Sequence, residues 1–257
     1  MTTRTYPIIY LTPPTRVSMT DHWYEYAKPD HFWMRRRFEV MRNIMDPFIR
    51  QAQSIAEIGC GTGVVQKYVE DGYGLPVVGF ELNESALKQN CSRNSPIYCY
   101  NIHERKPEFQ NQFDLIILFD VIEHIADEGG FLESVRFHMR PAGHLLINVP
   151  AHQLLFSGYD QAAGHLRRYN IGSLKRMAEK NGFRLVRVTY WGFPLIPLLL
   201  VRKALVKFRS SEQGVVSSGF DPGSKLLNSL LMLLSRCELL PQILVGTSLM
   251  AVLGKAK

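Results

Sequence analysis

The stretch Glu57-Ile-Gly59-Cys-Gly61-Thr-Gly63 has the composition of a loop against which a ligand lies. Glycine is needed where the backbone turns tightly and a ligand must approach it with no Cβ in between. A dinucleotide loop requires G-x-G-x-x-G, which brings a pyrophosphate to a helix N-terminus. Here the third glycine comes one position early, and Val64 stands where that rule needs it. Glu57 would also repel a pyrophosphate. An adenosine ligand carrying an amino-acid tail suits the loop better, because its ammonium group welcomes the carboxylate of Glu57. Glu81 closes the next apolar run, Val77-Val-Gly-Phe-Glu81. An acid roughly twenty residues beyond a glycine loop can accept hydrogen bonds from both ribose hydroxyls.

These residues need a frame of strands and helices. Ser54 to Ile58 reads as a strand and Val64 to Asp71 as a helix, so the glycine loop falls at a strand-to-helix junction. Pro76 to Phe80 is a strand. Glu84 to Arg93 is a helix with Asn83 as its cap. Ile97 to Tyr100 and the strongly apolar Phe113 to Phe119 are strands. Phe131 to Met139 is a helix, and Pro141-Ala-Gly143 turns into a strand over His144 to Val149. Ser173 to Asn181 is a helix that Gly182 terminates, followed by a strand over Phe183 to Tyr190. Strands alternating with helices imply a parallel sheet with right-handed crossovers. Ahead of this core, Phe32 to Gln51 carries apolar residues mostly at helical spacing, and Met1 to Met19 reads as a loose arm. Beyond it, Phe193 to Val201 is apolar but too short to span a bilayer. Lys225 to Leu240 is a second apolar helix, and Ile243 to Leu253 supplies a last strand.

Together the ExGxGxG loop, the acid after the second core strand and Phe113-Asp-Leu-Ile-Ile-Leu-Phe-Asp-Val-Ile-Glu-His124 resemble the successive motifs of the class I S-adenosylmethionine-dependent methyltransferases, in their small-molecule branch. The resemblance implies an α/β fold: a doubly wound, Rossmann-like sheet of seven strands in the order 3-2-1-4-5-7-6, with an N-terminal helix and an apolar helical insertion before an antiparallel last strand. Residues 1-51 would then be arm and helix, 52-190 and 241-257 the cofactor-binding core, and 191-240 the insertion. It further implies that Gly59, Cys60, Gly61 and Gly63 pass under the methionine part of S-adenosylmethionine. Glu81 would hold the ribose, and Leu82 and Ile102 would flank the adenine. Phe119 and Asp120 would stand where the methionine moiety ends, with His124 close by. Arg37 would reach the cofactor carboxylate from the N-terminal helix. Asn101 replaces the aspartate that commonly faces the adenine amino group. Its side-chain oxygen still accepts, which implies weaker rather than absent recognition.

With less specificity, His31-Phe-Trp-Met-Arg35-Arg-Arg37, Gly164-His165-Leu-Arg167-Arg168-Tyr169 and Thr247-Ser-Leu resemble bacterial members linked to surface-polysaccharide or lipid-linked sugar pathways. The loop after the fifth core strand, from Pro150 to Tyr169, would face the acceptor, since ligands of open α/β sheets bind beyond the carboxyl ends of strands. Methyl transfer is an in-line displacement that needs alignment and exclusion of water. A hydroxyl acceptor also needs a base. His165 is the first candidate and His152 the second, with Asp160 or Tyr159 orienting them. Arg167, Arg168 and the adjoining Tyr169 are candidates for binding an acidic group on the substrate.

Cys60, Cys91, Cys99 and Cys237 form no CxxC pair, and no His/Cys cluster has zinc spacing, so no metal is expected. Scattered cysteines and a polar, proline-bearing N-terminus lead to the expectation of a cytoplasmic protein without a secretory signal. Lys and Arg number 30 against 23 Asp and Glu, and all of that excess falls at or after Arg184, in the apolar last third. A basic and apolar segment fits contact of residues 191-240 with an anionic membrane surface, or equally a solvated face on a helical cap. Positive charge also permits a nucleic-acid acceptor. The chain, however, has no Asn/Asp-Pro-Pro-Tyr stretch after the fourth core strand and no recognisable nucleic-acid module. A non-catalytic cofactor-binding subunit remains open, and Val64 disfavours an NAD-linked oxidoreductase.

Overall fold

The computed structural model describes residues 6–15, 28–206, 223–238 and 242–256. Its strands are β1 (Ile8–Tyr10), β2 (Ile55–Ile58), β3 (Val78–Glu81), β4 (Ile97–Cys99), β5 (Phe113–Phe119), β6 (Met139–Pro150), β7 (Phe183–Trp191) and β8 (Ser248–Lys255). They form one sheet in the order β1-β4-β3-β2-β5-β6-β8-β7. From β1 to β6 all pairings are parallel, while β8 runs antiparallel to both β6 and β7. The helices are α1 (Phe32–Gln51), α2 (Val64–Tyr73), α3 (Glu84–Lys88), α4 (Glu128–His138), α5 (Gly158–Ala162), α6 (Ile171–Lys180), α7 (Ile196–Val206) and α8 (Lys225–Ser235).

The sheet has eight strands rather than the expected seven. The added strand is β1, which lies within the segment expected to be a loose arm and pairs with β4 at the edge, Ile8 opposite Ile97. A three-residue edge strand pairs along one side only, so it leaves little periodicity to read. The helix expected to reach Arg93 ends at Lys88. Beyond it the side chain of Asn90 turns inward, donates to Gln66 Oε1 and accepts from Ser92, which bends the chain. The Pro141-Ala-Gly143 turn is absorbed into β6, where pairing with β5 skips between Phe113 and Leu115. The last strand begins at Ser248 rather than Ile243. Gln242 instead accepts a backbone hydrogen bond from Tyr190.

Two apolar layers cover the sheet. On one face Phe131, Leu132 and Val135 of α4 and Leu174, Met177 and Ala178 of α6 pack against Phe80, Ile116, Leu118 and Ile147. On the other, Val40, Met41, Met45 and Ile49 of α1 and Val65 and Val69 of α2 pack against Leu115, Ile117, Leu146 and Trp191. Spacings of four and five on α1 put this stripe on one side, consistent with a helix packed flat on a sheet. Because β2 to β6 are parallel, their carboxyl ends lie along one edge, and every candidate loop leaves from that edge.

The insertion contributes α7 and α8. Met232 of α8 packs with Phe32 and Leu195, and Asn228 both accepts from Phe32 N at 2.8 Å and donates to the Asp30 carbonyl at 3.1 Å. Arg236 pairs with Glu39. One face of α8 is thus bound to α1, while Leu226, Leu227, Leu230 and Leu233 remain exposed. Among the described residues no helix is long and apolar enough to cross a membrane.

Candidate active site

The glycine loop connects β2 to α2. Gly59 and Gly63 have φ of 72° and 73°, in the left-handed region. A Cβ on Gly59 would stand 2.5 Å from Val121 Cγ2, and one on Gly63 would stand 2.4 Å from Asn90 Oδ1. Backbone conformation and lack of room both exclude a side chain at these positions. Cys60 is buried beside the loop, and its N–H donates to the Phe80 carbonyl at 3.1 Å.

Glu81, at the end of β3, ties the loop down. Its Oε2 accepts from Gly61 N at 2.8 Å, and its Oε1 accepts from Leu82 N and Asn83 N, each at 2.8 Å. Burial raises this carboxyl while those three N–H groups oppose the rise. A carboxylate has about four acceptor sites, so room is left for one further donor such as a ribose hydroxyl. Glu57 lies beneath the loop, and its Oε2 has no hydrogen-bond partner among the described residues. Burial pushes its carboxyl up to about 8; the Arg37 charge pulls against this, Glu81 adds to it, and the Gln66 N–H opposes it. A buried acid with an unsatisfied oxygen, under a loop that excludes side chains, fits the ammonium end of S-adenosylmethionine.

From the other side, Arg37 of α1 reaches the end of β5. Its Nη1 stands 2.5 Å from Asp120 Oδ2, and its guanidinium lies over the Phe119 ring at 5.4 Å. Asp120 has φ of 55° and accepts a second bond at Oδ1 from Asn148 Nδ2 at 2.7 Å. Asn148 in turn accepts from Trp191 Nε1 at 2.9 Å. Asn101 caps the short helix Ile102–Glu104, where its Oδ1 accepts from His103 N at 3.1 Å, and Ile102 is buried.

Beyond β6, the loop folds back over the short helix Ile122–His124. Leu166 N donates to the Glu123 carbonyl at 2.8 Å. His165 Nδ1 lies 3.0 Å from Asp160 Oδ1, which also accepts from Arg168 Nε at 2.7 Å. Asp160 Oδ2 accepts from the Ser157 N–H and hydroxyl. Burial alone would raise the Asp160 carboxyl, but His165 and Arg168 hold it down at about 2. The His165 ring meets His124 edge-to-face, with centroids 4.8 Å apart. His124 Nδ1 bonds the Gly164 carbonyl at 3.1 Å, and burial, followed by the neighbouring His165, lowers its pKa to about 4.

The structure brings His165, Asp160, Arg168 and His124 together at this edge and sets His152, Tyr159, Arg167 and Tyr169 on other partners. His152 stacks on Tyr190 at 4.7 Å, and its φ is 58°. Tyr159 packs with Ala162 and Ala163. The Arg168 guanidinium is 4% exposed and bonds Asp160 and the Ala151 carbonyl, so its donors face the protein. Tyr169 is buried and donates to Glu128 Oε1 at 2.6 Å, while Arg167 pairs with the same Glu128 at 2.9 Å and is part-exposed. The sequence reading passed over Glu123, Asn148 and Trp191. Glu123 stands in the Asp-Val-Ile-Glu-His motif, where its position before His124 was its only signal. Asn148 and Trp191 are polar or aromatic residues inside strands, with no local mark.

A Rossmann-like α/β sheet with a glycine loop at its carboxyl edge and an acid on the neighbouring strand defines the methyltransferase class of fold. The methyltransferase-domain family matches residues 32–188, and the chain belongs to that family. A probable S-adenosylmethionine-dependent methyltransferase of Mycolicibacterium smegmatis is 25% identical over 160 residues, covering 61% of each chain. A ubiquinone biosynthesis O-methyltransferase of Rhodopseudomonas palustris is 27% identical over 116 residues, covering 44% of this chain and 45% of that one. A phosphoethanolamine N-methyltransferase of Triticum aestivum is 24% identical, covering 57% of this chain and 31% of that protein. The matched stretch thus spans less than two thirds of each of these relatives. Among solved structures, a SAM-dependent methyltransferase from Archaeoglobus fulgidus superposes with a TM-score of 0.55 at 17% identity, over 86% of this chain and 94% of that one. The phosphoethanolamine N-methyltransferase 2 of Haemonchus contortus, in complex with S-adenosyl-L-methionine, gives 0.55 at 18% identity, over 88% and 53%.

Proposed function

We propose that this protein transfers a methyl group from S-adenosylmethionine to an oxygen of a small, lipid-linked or sugar-linked acceptor. The observation that carries the reading is the convergence, on one sheet edge, of the side-chain-excluding glycine loop, the Glu57 carboxyl with its unpartnered Oε2 and the Arg37–Asp120 pair. When bound, S-adenosylmethionine supplies an electrophilic methyl on a sulfonium. Glu57 balances the ammonium, Glu81 accepts from the ribose, and Arg37 is placed for the cofactor carboxylate. His165, with Nδ1 tied to Asp160, presents Nε2 as the base for a hydroxyl proton. His152 is a second base candidate, and Arg167 offers a part-exposed cation to an acidic acceptor.

An oxygen acceptor is favoured because the His165–Asp160 pair is built to take a proton, and one group of relatives is named for O-methyl transfer. A lipid-linked acceptor is favoured by the exposed leucines of α7 and α8 and by the resemblance to bacterial enzymes of surface-polysaccharide and lipid-linked sugar pathways. In this reading the protein works in the cytoplasm, on the inner face of the membrane, with no role for nucleic acid. The test is a transfer assay with methyl-labelled S-adenosylmethionine against hydroxyl-bearing sugar- and lipid-linked acceptors. Label should appear on oxygen, and His165→Ala should slow transfer by about 10²-fold or more. Transfer only to nitrogen, or at an unchanged rate in the variant, contradicts the reading.

A further inference from the structure

Glu123, His124 and His165 each direct a ligand-type atom into one small volume, and the three atoms lie within 4.8 Å of one another. Glu123 is fully buried, and neither of its carboxylate oxygens has a hydrogen-bond partner among the described residues. A buried carboxylate with two unsatisfied oxygens demands an explanation, because such groups are almost always paired. The two histidines are already oriented for one. His165 Nδ1 is bonded to Asp160 and His124 Nδ1 to the Gly164 carbonyl, which leaves Nε2 of each ring as the atom to offer an ion. Metal-bound histidines are held in just this way, with the second ring nitrogen donating to a carboxylate or a backbone carbonyl.

We infer that Glu123, His124 and His165 form a binding site for a divalent first-row transition-metal ion. Two imidazoles and one carboxylate suit Zn²⁺, Fe²⁺, Co²⁺ or Mn²⁺ rather than Mg²⁺ or Ca²⁺, which take oxygen ligands. Tetrahedral ligands at about 2.0–2.2 Å from an ion lie about 3.3–3.6 Å apart, so binding draws the most widely separated of the three atoms together by about 1 Å. Three protein ligands leave a coordination position open, as in catalytic rather than structural sites. The charge of the ion also satisfies the Glu123 carboxylate, which burial and the neighbouring Asp120 otherwise disfavour.

The chemistry of this ion rests on the O-methyl transfer proposed above, though its binding does not. An acceptor hydroxyl at the open position becomes more acidic and gives its proton to solvent. The new O–CH₃ bond forms as the S–CH₃ bond breaks, and the bonding pair stays on sulfur. In that case His165 acts as a ligand, and the ion replaces it in activating the hydroxyl.

The test uses chelator-treated full-length protein. Co²⁺ is titrated with visible absorption as the readout, and Zn²⁺ and Mn²⁺ are titrated calorimetrically. Saturation near one ion per chain is expected, with Glu123→Gln and His165→Gln each weakening binding roughly tenfold or more. S-Adenosylhomocysteine titrations on the same samples report folding; if one variant is unfolded, the other carries the result. Absence of a stoichiometric ion, or equal binding in a folded variant, overturns the site. S-Adenosylhomocysteine binding without ion binding would sink the metal site and leave the methyltransferase reading standing. Stoichiometric ion binding without transfer to any hydroxyl would leave the metal site standing and sink the O-methyl reading.

Discussion

Arg37 Nη1 lies 2.5 Å from Asp120 Oδ2, so the helix ahead of the core and the end of the central strand β5 meet at a single ion pair. Both partners belong to segments that the sequence joins only through resemblance. The pair holds Asp120 in a left-handed conformation that a non-glycine residue adopts only with support. Arg37→Ala should therefore cost about 2 kcal/mol of stability, the scale of a hydrogen bond to a charged group, and should weaken S-adenosylmethionine binding by more than the melting shift implies. Thermal melting and calorimetry on the same preparation check both. An unchanged affinity would place Arg37 outside the cofactor site.

Gly59→Ala should abolish cofactor binding while leaving a folded protein. The new Cβ would meet Val121 Cγ2 at 2.5 Å, and a φ of 72° costs an alanine about 1–2 kcal/mol. Adding Val121→Ala removes the contact but not the backbone strain, so the double variant should recover melting temperature only in part. Full recovery of both stability and binding would show that the loop does not need glycine conformation.

Glu57 gives the site a pH signature. Its folded carboxyl is pushed up to about 8 by burial, from an ordinary 4.5. Between those values the native protein holds a proton that the unfolded chain lacks. The stability contributed by this group is therefore full below about pH 4.5 and is lost as pH rises toward 8. A cofactor ammonium favours the charged carboxylate, so binding near pH 7 should release a proton. Calorimetry in two buffers of different ionisation enthalpy should show that release in the native protein and not in Glu57→Gln. Equal proton release in both would remove Glu57 from the ammonium site.

The exposed leucines of α8 predict association with membranes. Full-length protein should sediment with anionic liposomes at low salt, and Leu230→Ser combined with Leu233→Ser should reduce this, since both side chains point away from α1. Failure to pellet at low salt would leave α8 as a helical cap on the fold.

The sequence made the glycine loop and its neighbouring acid legible because their signals are local. The glycines and Glu57 lie within one loop, and Glu81 closes a strand whose apolar run is unmistakable. The loop after β6 was only partly readable. Arg168 and Tyr169 carry the residue types of a substrate loop, but their partners, Asp160 and Glu128, can be known only from tertiary contacts. The grouping of Glu123 and His124 with His165 leaves no metal-ligand spacing in the sequence for the same reason: the loop after β6 folds back onto the end of β5. In the fold, β1 was missed because a three-residue edge strand carries almost no pattern. The end of α3 was misplaced because an inward-turning Asn90, rather than a glycine or proline, stops it.

The central claim is tested most directly by calorimetric titration of the full-length protein with S-adenosylmethionine, S-adenosylhomocysteine and NAD, beside Glu81→Ala. Glu81 ties the Gly61 amide and is the proposed ribose acceptor, so its loss should remove two supports at once. The account predicts stoichiometric binding of the first two ligands, at least tenfold weaker in the variant (about 1.4 kcal/mol), and no binding of NAD. Binding of NAD alone, or equal affinity for S-adenosylmethionine in the variant, would contradict it.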